Sequence, residues 1–160
     1  MKKNNTKQNT IEIINTLKEK NQTITFAESC TGGRVASAFT AISGASAVLN
    51  GSVISYANEI KSEWLGVKKE TLIKYGAVSK ACVEEMLKGI LKMASADYAI
   101  AVSGIAGPTG GTDGKPVGTV YLGVIYKDKI IVEHHLFKGD REAVQEQAKD
   151  ASISLLKNFL

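Results

Sequence analysis

TFAESCTGGRVAS, residues 25–37, runs from apolar residues into a polar bend with two glycines and out into a stretch of helical spacing. Residues 23–27 (TITFA) are short and β-rich, and residues 33–40 repeat as a helix does, so the bend joins a strand to a helix. That unit is the building block of open α/β sheets, whose ligands gather at the carboxyl ends of the strands. Upstream, Ile11, Ile13, Ile14 and Leu17 fall mostly on one face of a helix over residues 6–20, after a loose tail at residues 1–6. Downstream, residues 48–56 (VLNGSVISY) read as a second strand. Asn58 is placed to cap a helix that ends at Gly66, and residues 71–75 form a further short turn.

Ser79 opens a long helix to about Ala94, and residues 98–103 (YAIAVS) are continuously apolar, as a central buried strand is. A loop rich in glycine follows. Residues 118–126 and 129–137 then form an antiparallel hairpin across Lys127-Asp128, and Asp140 caps a closing helix to about Phe159. This order predicts a single α/β domain, a three-layer α/β/α sandwich with a mixed five-stranded sheet.

A chain of 160 residues buries a real core without metal or disulfide support. Lys and Arg total 20 against 16 Asp and Glu, a net charge of +4, but the lysines are scattered, which argues against nucleic acid as partner. The two cysteines, Cys30 and Cys82, make no C-x-x-C pair and the histidines no cluster, so neither a metal nor a disulfide framework is indicated, and a reducing cytoplasmic location is expected. No run of about 18 apolar residues is present to cross a membrane, and the opening lacks the core of an export signal.

The loops carry the chemistry. Gly114-Lys115 is followed by Pro116, which rules out a Walker loop, and the glycines at 104, 107 and 110 do not fit a dinucleotide fingerprint. Residues 103–111 still suit anion binding through backbone N–H groups, or a plain surface turn closed by Pro108. Ser29 serves either as a helix cap or as a nucleophile, and a nucleophile needs a base and oxyanion donors, for which Gly32, Gly33 and the helix start are placed. His134 and His135 are adjacent in a strand and point to opposite faces, so they fit a structural role. A lysine is a base only when burial or a neighbouring positive charge draws its pKa well below about 10.4. In YANEIK, residues 56–61, Tyr56 and Lys61 follow the second strand beside Ser29; Lys61 also reads as an exposed helix lysine.

AESCTGG at 27–33, GSVISYANEIK at 51–61, GAVS at 76–79, SGIAGPTGG at 103–111, KPVGTVYLG at 115–123 and KGDR at 138–141 together resemble the C-terminal domain of the CinA family, the nicotinamide-nucleotide amidohydrolase. The resemblance covers nearly the whole chain in order. It implies hydrolysis of the carboxamide of nicotinamide mononucleotide to nicotinate mononucleotide and ammonia, with Ser29, Tyr56 and Lys61 as the catalytic group and Lys61 acting directly or through Tyr56. Amides near Thr31, Gly32 and Gly33 would meet the oxyanion, with Asn58 as a cap or a substrate contact. The phosphate falls to the backbone of Ser103, Gly104, Ile105, Ala106, Gly107, Gly110 and Gly111 and to Arg141, which could instead pair with Asp140 or Glu142. Cys30 is expected to be a packing residue. No cofactor and no metal are expected. The expected partner is the small-molecule nucleotide, with a homodimer as the working assembly and no nucleic acid or membrane. Rival expectations are a catalytically silent nucleotide-binding module and an amidase for another carboxamide.

Overall fold

The computed structural model describes residues 5–160; of the expected tail, residues 1–4 lie outside the described residues. Helix α1 (Thr6–Glu19) precedes strand β1 (Ile24–Glu28), helix α2 (Arg34–Thr40), a 3₁₀ turn at Ala45–Ala47 and strand β2 (Leu49–Ile54). Then come α3 (Asn58–Leu65), α4 (Lys69–Tyr75), α5 (Lys80–Ala94), β3 (Tyr98–Gly104), β4 (Thr119–Tyr126), β5 (Lys129–Leu136) and α6 (Arg141–Phe159). The sheet runs β2-β1-β3-β4-β5, parallel across its first three strands and antiparallel across the last two. This is the mixed five-stranded sandwich that the element order predicts.

Alternation along β1 and β3 builds two cores. Phe26, Ile100 and Val102 face the layer of α1, α2 and α6, where Leu17, Phe39 and Leu156 pack. Ala27, Ala99 and Ala101 face α3 and α5, against Leu65, Met86 and Ile90. Both strands are buried on both sides, which accounts for their unbroken apolar runs. Edge strand β2 is largely exposed. Among the described residues no helix is long and apolar enough to cross a membrane.

Helix ends follow local chemistry. The Ser79 hydroxyl accepts from the Cys82 N–H at the start of α5, and the Asp140 carboxylate accepts from the Ala143 N–H at the start of α6. The expected cap at Asn58 is a correction: Ala57 takes the capping position without a side-chain bond, and Asn58 is the first residue of α3. The turn expected at 71–75 is the end of a full helix, α4. Strand β2 stops at Ile54 rather than at residue 56, which releases the next two carbonyls from the sheet. Gly89 lets α3 and α5 approach closely, because a Cβ there would lie 1.8 Å from the Leu65 carbonyl oxygen. That contact sets the position of α3 over the sheet.

Candidate active site

Ser29 follows β1 directly and Lys61 lies in the second turn of α3, on the same side of the sheet. Lys61 Nζ is 3.1 Å from Ser29 Oγ, 2.8 Å from the Ser55 carbonyl oxygen and 2.9 Å from that of Tyr56. Lys61 is 1% exposed and Ser29 7%. Burial pushes the Lys61 pKa below its ordinary 10.5, against the pull that charge on Cys82 or Cys30 would exert. Those thiols are themselves pushed up by burial, Cys30 to about 12 and Cys82 to about 11, so at neutral pH they carry no charge with which to hold an ammonium.

The cage around Nζ suits both protonation states. A neutral amine has two N–H donors and one lone pair; two carbonyls take the donors and leave the lone pair for the Ser29 O–H. An ammonium has three donors, and the same three oxygens accept them. Proton transfer between Ser29 and Lys61 therefore needs no movement of the side chain.

The bend after Ser29 is held from several sides. The Gly32 N–H donates to the Ser29 carbonyl and the Arg34 N–H to the Thr31 carbonyl, with Gly32 and Gly33 at φ of 58° and 98°, left-handed values that glycine adopts without strain. Gln145 of α6 donates to the Cys30 carbonyl at 2.9 Å, and Arg34 links the Thr31 carbonyl to Glu146. Sequence reasoning missed Glu28. Its fully buried carboxylate accepts from the Val35 and Ala36 N–H groups at 2.9 and 3.0 Å, tying the first turn of α2 to the end of β1. A carboxylate shortly before a helix start was the available signal.

A cavity of about 180 Å³ brings together Ser29, Cys30, Tyr56, Asn58 and Lys61 with Ser103, Gly104, Ala106 and Arg141. Larger clefts, such as that between α3 and α4, contain no comparable pairing of nucleophile and base. Thr31, Gly32 and Gly33 do not line the cavity: Thr31 is fully buried, and the Gly32 amide is already bonded within the turn. In the second loop, Ile105, Gly107, Gly110 and Gly111 also lie outside the lining. The Ile105 N–H donates to the Thr119 carbonyl, and a Cβ at Gly111 would lie 2.7 Å from the Val117 nitrogen, so this part of the loop folds on itself.

Tyr56 turns its carbonyl inward and its ring outward, 59% exposed. Its hydroxyl accepts from Arg141 at 2.9 Å and makes no bond to Ser29 or Lys61, so the direct Lys61–Ser29 contact stands without a tyrosine relay. Arg141 also donates to the Gly107 carbonyl at 2.6 Å; no ion pair to Asp140 or Glu142 forms. His134 and His135 stack on Tyr121 and Phe137 respectively, away from the cavity lining.

The family profile described as CinA C-terminal domain matches residues 6–160. The chain belongs to the CinA C-terminal domain family. Among curated CinA relatives, the nicotinamide-nucleotide amidohydrolase PncC of Enterobacter agglomerans is 48% identical, over 94% of this chain and 93% of its own. A CinA-like protein of Thermosipho melanesiensis is 46% identical over 94% of this chain, which spans only 38% of that longer protein. The crystal structure of competence damage-inducible protein A from Klebsiella pneumoniae superposes with a TM-score of 0.92 at 40% identity, covering 96% of this chain and 95% of that one.

Proposed function

We propose that this CinA domain is an amidohydrolase that converts nicotinamide mononucleotide to nicotinate mononucleotide and ammonia. The observation that carries the reading is the buried amine of Lys61 at 3.1 Å from the Ser29 hydroxyl. The name of the PncC relative supports the substrate.

Ser29 Oγ attacks the carboxamide carbon as Lys61 takes its proton, giving a tetrahedral intermediate. Lys61 then returns the proton to the departing nitrogen, ammonia leaves, and an acyl-enzyme remains. Water, deprotonated by the same amine, attacks the acyl carbon and frees Ser29 and the acid. Tyr56 serves through its carbonyl, which aims the amine, and its hydroxyl holds Arg141. A cavity of about 180 Å³ falls below the ~300–1,000 Å³ usual for small-molecule sites, so it suits the pyridine ring and its amide. The ribose and phosphate then lie over the mouth, where Arg141 and the Ala106 N–H, which has no acceptor of its own, are the available donors.

Incubating the purified protein with nicotinamide mononucleotide in the presence of a chelator is expected to release ammonia, and Ser29→Ala to abolish release while binding persists. Binding by the wild type without ammonia would instead identify a silent nucleotide-binding module. Turnover of another carboxamide in preference to the mononucleotide would reassign the substrate.

A further inference from the structure

Ser103 is 1% exposed, lines the cavity and makes no hydrogen bond through its hydroxyl. Its oxygen is not sealed in the core but open to the cavity, where water or a ligand atom takes the place of a protein partner. Its direction follows from the strand. Ala27 of β1 pairs with Ala101 of β3, and both face the core under α3 and α5. Ser103, two residues further along β3, continues on that face, and Ser29, just past the end of β1, reaches the same side, where its hydroxyl meets Lys61 of α3.

The sheet order then separates the jobs. Lys61 Nζ is anchored by Ser55 and Tyr56, just past β2; Ser29 follows β1; Ser103 belongs to β3. The nucleophile thus stands between its base and the second serine. Lys61 must reach the departing nitrogen, which orients that nitrogen toward β2 and the carbonyl oxygen toward β3. The amides expected to meet this oxygen, at Thr31, Gly32 and Gly33, do not line the cavity.

The geometry points to Ser103 as an oxyanion donor, its O–H bonding the oxygen that becomes negative when Ser29 attacks. This rests on the reading of Ser29 and Lys61 above. The hydroxyl contributes in the transition state and changes no covalent bond of its own.

The test compares wild type, Ser103→Ala and Ser103→Thr on nicotinamide mononucleotide and on the methyl ester of its acid. Ser103→Ala is expected to lower kcat about 100-fold on both substrates with KM within about twofold, and Ser103→Thr, which keeps the hydroxyl, to restore at least about a tenth of the wild-type rate. A second measurement is independent of the substrate: the rate at which a fluorophosphonate labels Ser29 should fall about 100-fold in Ser103→Ala, at an unchanged melting temperature. If the alanine variant does not fold, Ser103→Cys, of similar volume and with a weak donor, takes its place in both measurements. A loss confined to the amide substrate would make Ser103 a leaving-group contact and overturn the assignment, as would a raised KM at constant kcat or an unchanged labelling rate. If the wild type is labelled yet releases no ammonia, the nucleotide reading fails while the labelling comparison still decides the role of Ser103.

Discussion

Lys61 and Lys149 both lose much of their water, and their pKa values move in opposite directions. Lys149 on α6 has a side chain 15% exposed, between Glu146 and Asp150. Burial alone would lower its pKa, but the two carboxylates outweigh burial and raise it above 10.5. Lys61 faces backbone carbonyls and a hydroxyl instead of carboxylates, and burial prevails. Dipoles fix the amine's position without supplying a full charge to keep it protonated. Glu28 shows how local this is: it precedes Ser29 by one residue, yet alternation along β1 sends its carboxylate to the opposite face, onto α2. The two amines thus differ chiefly in whether an acid stands beside them.

The sharpest way to break the comparison is to remove the base. Lys61→Met should lower ammonia release about 10³-fold with binding of the nucleotide retained, measured by turnover and calorimetry. Next, Lys61, the proposed base, can be made to resemble Lys149. Asn58 precedes Lys61 by three residues on α3 and lines the same cavity, so Asn58→Asp brings an anion near the amine. In the wild type, kcat/KM should rise with pH along an acid limb lying below 10.5. Asn58→Asp should shift that limb upward by about one unit and cost about tenfold at a pH on the limb; an unmoved limb would mean that the titrating group is not Lys61.

Stability sharpens the contrast further. The Lys61 pKa is lowered on folding, so between its native and its unfolded value the unfolded chain holds the extra proton. Stability should therefore rise with pH through that window and lack this contribution below it. Lys61→Met should flatten the slope in denaturant titrations at several pH values. The smallest effect is expected at the other lysine: Glu146→Gln should cost about 0.5 kcal/mol, since Glu146 is 46% exposed and solvent screens the pair, with little change in turnover.

Much of the frame was legible because it is local. The β-rich run before Ser29, the unbroken apolar stretch at 98–103 and the caps Ser79 and Asp140 each state their structure within a few residues. The convergence of Ser29 and Lys61 was legible as well, since two neighbouring parallel strands deliver their following loops to the same edge. The two carbonyls that hold Nζ were not, because backbone acceptors have no letter in a sequence. Nor was the outward turn of Tyr56, whose ring and carbonyl go to different places. The glycines after Ser29 invited a role as oxyanion donors, but the tight turn they permit engages the Gly32 amide and keeps Gly32 and Gly33 out of the cavity lining, which a sequence does not show.

Gly89 has a consequence for anyone wishing to harden this fold against heat. A glycine in the interior of a long helix is an obvious candidate for replacement by alanine, on propensity alone. Here the added methyl group would drive α5 and the end of α3 apart, and α3 is the beam on which Lys61 is mounted. A redesign guided by propensity alone would misjudge this position; a screen that follows unfolding and turnover together should register the clash in both.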